Sequence, residues 1–141
     1  MELNGVTIIN RPVETVYNYV MDVTNDPNWR TGPEESGWRR GEPFSAGAVG
    51  YSRAGDKEIE WRIEAIVPGE SVDWELLSGP IRGHGGYRFE AVEGGTRFTL
   101  VSDVYPTGLF KLVGPLFSWM GKRQNQGDVE RLRDILESAP D

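Results

Sequence analysis

Three side chains in this sequence are best suited to move a proton or to hold a reacting oxygen: His84, Tyr51 and Arg53. His84 is the only His, and so the only side chain that titrates near neutrality without a perturbed pKa. Tyr51 and Arg53 lie in the polar, Gly-rich stretch GAVGYSRAG, where an inward Tyr51 hydroxyl needs a partner that a ligand or water could provide. A flexible substrate positioned against these three could react through orientation and a few donors, without a nucleophile. Other chemistries lack their parts. There is no Cys, hence no thiolate, disulfide or Cys-ligated metal. One His gives no weight to a Ser-His-Asp order. One His with scattered acids gives no ligand spacing, so no metal site is expected. Gly85-Gly86 and Gly94-Gly95 form neither a G-x-G-x-x-G fingerprint nor a P-loop, and no cofactor is expected.

Position decides which of these groups meet. From Ser36 to Tyr105 the apolar residues recur with a period of two, separated by turn signals at Ala54-Gly55-Asp56, Pro68-Gly69-Glu70, Ser78-Gly79-Pro80 and Glu93-Gly94-Gly95. This predicts six consecutive antiparallel strands with one apolar and one charged face. Parity sets Val49, Tyr51 and Arg53 on one face against Gly50 and Ser52, and puts Ile59, Trp61, Ile63, Ala65, Val72, Trp74, Leu76, Tyr87, Phe89, Ala91, Phe98, Leu100 and Val104 on the apolar face. Trp61, Trp74, Tyr87 and Phe89 there are either core or the walls of a pocket. Ser102 and Ser78 could add hydroxyls, or simply bond neighbouring backbone. Glu58, Glu60 and Glu64 fall on the opposite face and read as a solvated surface. Alternation sends His84 outward with Arg82 and Arg88, whereas a bulge in GPIRGHGGY would aim it inward.

Ahead of the sheet, Leu3 to Ile9 leans to strand, and Asn10 offers an N-cap for a helix with Pro12 in its first turn and a stripe of Val13, Val16, Tyr17 and Val20. Asp22 to Pro27 ends it, and Asn25 or Asp26 caps a second, very short helix carrying Trp29. After Pro106-Thr107-Gly108 the pattern is helical, with Gly114-Pro115 dividing a short piece, 109–113, from a long C-terminal helix. That helix has a polar waist. Between Gly121 and Asp128 it carries no apolar side chain, and Gln124 and Gly127 run in phase with Leu116 and Met120. A helix that covers a sheet with a polar waist and a Gly points to unfilled space beneath it. Trp29 is expected to wall one end of that space with its indole N–H satisfied near the rim, while Phe110 and Trp119 are expected at its entrance.

The succession INRPVETVYNYVMDVTNDPNW, then GGYRFEAVEGGTRFTLVSDVYPTG, then a helix ending VERLRDILE, resembles the helix-grip superfamily of START domains, Bet v 1-like proteins and the polyketide cyclase/dehydrase group. The likeness covers nearly the whole chain, and the residues that carry it are structural. It implies an α+β fold in which a curved antiparallel sheet of about seven strands surrounds a long C-terminal helix, with two short helices after the first strand. It also implies a cavity for a hydrophobic or aromatic molecule such as a lipid or polyketide, in a carrier or in an enzyme that cyclises or dehydrates its ligand. The ligand-binding residues expected are Trp29, Tyr51, Trp61, Trp74, Tyr87, Phe89, Ser102, Phe110, Trp119 and Gln124. A third reading uses the apolar stretch Leu109 to Met120 as a surface for a partner or a membrane.

The totals narrow the partners. At 141 residues the chain fits one domain, residues 1–141. A formal charge of −7, with Arg39-Arg40 and Lys122-Arg123 the only adjacent basic pairs, supplies no stripe for phosphates, so no nucleic-acid partner is expected. The start MELNGVTIINRPVE has no basic or apolar leader, and no run approaches a membrane span, so a cytoplasmic location and no integral membrane segment are expected.

Overall fold

The computed structural model describes residues 2–108 and 114–139. Strand β1 (Gly5–Ile9) leads into helix α1 (Val13–Met21), a 3₁₀ turn (Val23–Asn25) and helix α2 (Asp26–Trp29). Strands β2 (Glu35–Arg40), β3 (Val49–Ala54), β4 (Lys57–Val67), β5 (Ser71–Leu76), β6 (Ile81–Val92) and β7 (Gly95–Pro106) follow, and helix α3 (Gly114–Ser138) comes last. The strands form one antiparallel sheet in the order β1-β7-β6-β5-β4-β3-β2. The expected α+β helix-grip architecture, seven strands and a long C-terminal helix, is therefore present. The piece 109–113, and Phe110 within it, lie outside the described residues.

Three local expectations are corrected. Pro12, not Asn10, occupies the N-cap of α1, with no side-chain cap, because Pro12 is extended and the helix begins one residue later. A register shift between Ile63 and Ala65 inverts the end of β4, so Ile66 packs on the core while Ala65 is exposed. Ala91 is exposed as well, near the end of β6.

The second half of α3 follows its apolar period. Val129, Leu132 and Leu136 are buried against Ile9, Phe98, Leu100 and the α1 residues Val16 and Val20. Helix α3 packs chiefly on β1, β7 and α2. Its backbone approaches β1 closely at Gly5, where a Cβ would stand 2.7 Å from the Asn125 carbonyl oxygen. Among the described residues, a helix seated over one edge of the sheet leaves the inner face of β3 to β5 without helical cover.

Candidate functional site

The uncovered inner face is a cavity of about 630 Å³, in the range of small-molecule sites. Two indoles form its floor. Trp61 on β4 pairs across the sheet with Gly50, and Trp74 on β5 with Gly85. A Cβ on Gly50 would stand 2.2 Å from the Trp61 ring, and one on Gly85 2.7 Å from the Trp74 ring. The two glycines let the indoles lie over the neighbouring strand rather than rise into the space under α3. Trp38, Ile63, Val72, Leu76 and Val104 extend the apolar wall. Phe117, Gly121, Gln124 and Asn125 supply the α3 side.

Several polar side chains around the cavity are bonded within the protein. Trp61 Nε1–H donates to Ser52 Oγ at 3.1 Å, and Ser36 Oγ–H donates to Ser52 Oγ at 3.2 Å. Asn125 Nδ2–H donates to the Leu3 carbonyl, and Gln124 Nε2–H to the Thr31 carbonyl at 3.3 Å. These bonds, with Gln126 bonded to the Val6 backbone, give the polar waist of α3 a second role. It docks the helix on β1 and on the segment after α2.

A charged cluster closes one end. Asp128, fully buried on α3, accepts from the Thr31 amide (3.0 Å), the Thr31 hydroxyl (2.5 Å), Arg30 Nε (3.4 Å) and Arg131 Nη1 (3.2 Å). Arg30 Nη1–H also donates to the Tyr87 hydroxyl at 3.3 Å. Burial works to lower the Arg30 pKa, but Tyr87, Asp26 and Asp128 outweigh it and the net shift is upward. The Tyr87 hydroxyl is held well above its ordinary value, by burial first and then by the Asp26 charge. Asp26, Arg30, Thr31 and Tyr87 all line the cavity. The Asp26 residue is 8% exposed, and its Oδ1 has no hydrogen-bond partner among the described residues. Burial pushes its carboxyl up to about 7; the Arg30 charge opposes that rise and Asp22 adds to it.

Of the residues expected from sequence, Trp61, Trp74, Tyr87, Ser102 and Gln124 line the cavity, as does Arg53. Arg53 is nevertheless ion-paired to Glu35. Tyr51 is not among the lining residues. It pairs across the sheet with Glu60 rather than with inward Trp61, its hydroxyl donates to Glu35, and Arg39 stacks over its ring at 4.5 Å. The inward residues of β3 are Gly50 and Ser52, so the parity assigned to this Gly-rich strand is inverted. Trp29 is fully buried, 5.8 Å from both Tyr87 and Phe98, and its indole N–H has no partner among the described residues. It is core rather than a rim wall. Phe89 is core too, packed edge-on to Tyr17 at 5.1 Å. Trp119 is 60% exposed with Arg123 over its ring, and Leu116 and Met120 are exposed beside it. The α3 ridge that meets the cavity runs through Phe117, Gly121 and Gln124 instead, and Gly127 lies outside it. Ser78 Oγ accepts from the Glu60 amide, the backbone alternative considered for it.

His84 is on the outer face, 2.8 Å from Glu64 through Nδ1 and 3.8 Å from Glu75 through Nε2. The bond to Glu64 raises its pKa above 6.5. Strands β4, β5 and β6 thus bring together acids that look scattered in sequence, with one donor atom from each of Glu64, Glu75 and His84 within 4.8 Å of one another. The spacing argument against a metal site does not survive folding, although the contacts present are those of an ion pair.

Sequence reasoning missed Asp26, Arg30, Thr31, Trp38, Ser52 and Asn125. One signal for Asp26 was available: it stands three residues before Trp29, on the same side of a helical turn.

A curved antiparallel sheet gripping a C-terminal helix around a ligand-sized cavity is the helix-grip class of fold. The chain belongs to the polyketide cyclase/dehydrase and lipid transport family, whose model matches residues 2–137. No curated protein sequence matches it significantly. Among solved structures it is similar to BH1534 from Bacillus halodurans, with a TM-score of 0.77, 17% identity and 97% of each chain covered. The aromatase/cyclase Zhui from Streptomyces sp. R1128 gives a TM-score of 0.72 at 13% identity, over 97% of this chain and 93% of that one. DynU16, from the dynemicin biosynthetic locus, gives 0.73 at 18% identity over 97% of this chain, which spans 47% of the length of DynU16. At these identities the likeness is one of fold. Among the described residues no helix is long and apolar enough to cross a membrane.

Proposed function

We propose that the protein binds a small hydrophobic or aromatic molecule, such as a lipid or polyketide, in the cavity between the sheet and α3, and that residues 1–141 act as one ligand-binding domain. One observation carries this reading: a hollow of about 630 Å³ floored by Trp61 and Trp74 where a packed core would otherwise lie. Family membership and the fold shared with an aromatase/cyclase support either a carrier or a cyclase-type enzyme. The carrier leads, because His84 and Tyr51 face away from the cavity and Arg53 is tied to Glu35.

Native mass spectrometry of protein purified from its own cells tests the reading. A co-purified small molecule lost in Trp74→Ala and kept in His84→Ala is expected. Repeated absence of any adduct, with no Trp quenching by apolar probes, contradicts it.

A further inference from the structure

The cavity is not apolar throughout, and one of its polar groups is unexplained by the protein around it. Arg30 is held by Asp128 and Tyr87, and Thr31 by Asp128. Asp26, in contrast, is buried, lines the cavity and leaves Oδ1 without a partner among the described residues. Burying an unpaired carboxyl is costly, and natural structures seldom keep one without a function. We propose that the Asp26 carboxyl, its shielded Oδ1 brought to the cavity by rotation about the Cβ–Cγ bond, donates a hydrogen bond to a carbonyl oxygen of the bound molecule, so that the cavity takes an aromatic ketone or aldehyde in preference to a hydrocarbon of the same shape. This rests on the cavity being a binding site at all.

The surroundings favour a donor there over an acceptor. Asp22 precedes α2 with a like charge, Arg30 answers it from the position just after α2, Tyr87 faces the site from β6, and Asp128 and Arg131 belong to the facing part of α3. The Arg30 charge opposes the rise in the Asp26 pKa but is shared with Asp128 and Tyr87, and burial outweighs it. With a pKa of about 7, the carboxyl carries its proton in mildly acidic solution and loses it in mildly alkaline solution. The selectivity therefore depends on pH. Ionised Asp26 has no proton to offer and repels a carbonyl oxygen.

The test compares 2-acetylnaphthalene with 2-ethylnaphthalene, a ketone and a hydrocarbon of nearly equal shape, by quenching of Trp fluorescence from pH 5.5 to 8.5. At pH 5.5 the ketone should bind roughly 3- to 10-fold more tightly, the net worth of one hydrogen bond. That preference should vanish by pH 8.5 while the hydrocarbon affinity holds steady. Asp26→Asn, whose amide still donates, should keep a preference that no longer varies with pH. Asp26→Leu should bind both probes alike, and its hydrocarbon affinity reports whether the cavity is intact. The inference is overturned if wild-type protein binds both probes without preference, or if the preference is the same at pH 5.5 and 8.5, or persists in Asp26→Leu; the cavity then remains a binding site without this donor. If neither probe binds, the binding reading fails and this inference falls with it.

Discussion

Replacing Asp128 with Ala should loosen the joint between α2 and α3 more than any other single polar change among the described residues. Asp128 is fully buried and collects four donors from Arg30, Thr31 and Arg131. Removing one partner of a buried ion pair costs about 3–5 kcal/mol, since the other charge is left without compensation. The lower end applies here. The Arg30 side chain is 23% exposed and keeps its bond to Tyr87, and Arg131 is exposed enough to be rehydrated. A loss of about 3 kcal/mol follows, most of it from Arg30 and the two Thr31 donors. For a chain of 141 residues the entropy of unfolding is about 0.3 kcal/mol/K, so the melting temperature should fall by roughly 10 °C. Asp128→Asn keeps the shape but turns an amide toward donors, and should lose about half as much. Urea unfolding followed by circular dichroism measures both variants. A loss below about 1 kcal/mol for Asp128→Ala would mean that the network is not what holds α2 on α3.

Adding a methyl group at Gly85 should drive the Trp74 ring off the sheet; Gly85→Ala is expected to lose apolar-probe affinity together with about 1–3 kcal/mol of stability, and an unchanged probe titration would count against the flat-lying indole. Because Asp26 titrates near 7 when folded and at an ordinary 3.8 when unfolded, the folded protein loses stability as pH rises between those values. Asp26→Asn should therefore match wild type near pH 4 and exceed it by up to about 4 kcal/mol at pH 8 in urea titrations; a gap that does not widen with pH contradicts the burial of that carboxyl. His84 should titrate above 6.5 by NMR and move back down in Glu64→Gln, whereas an unmoved midpoint would mean that the Glu64 contact is not held in solution.

The succession of hairpin strands and the long C-terminal helix were legible because alternation, helical spacing and turn chemistry act locally. Glu93-Gly94-Gly95 and Pro68-Gly69 signal their hairpins on their own, and the buried trio Val129, Leu132 and Leu136 keeps helical spacing. The floor of the site was legible for the same reason, since Trp61 and Trp74 sit on regular stretches of β4 and β5. Parity failed where side chains do not set it. In β3 a Gly and a Ser are the inward residues, because Gly50 makes room for Trp61 and Ser52 bonds its indole, so Tyr51 was given the wrong face. The polar end was illegible because it is assembled across the chain. Asp26 reads as a cap and Asp128 as part of the polar waist until α3 crosses α2, when Arg30 and Thr31 meet a carboxylate nearly a hundred positions away. Exposure of Trp119 has a similar origin: α3 presents Phe117 and Gly121 to the cavity, and Trp119 falls on another side of the helix.

The five Trp residues allow the most direct test of the central claim, since they sample different parts of the molecule: Trp38, Trp61 and Trp74 line the cavity, Trp29 is core, and Trp119 is exposed on α3. Titrating ¹⁵N-labelled protein with 2-ethylnaphthalene and following the indole N–H signals separates these sites. Saturable shifts of the Trp38, Trp61 and Trp74 signals are expected, with Trp119 unmoved. Shifts confined to Trp119, or no saturable shift at any indole, would contradict a ligand cavity beneath α3.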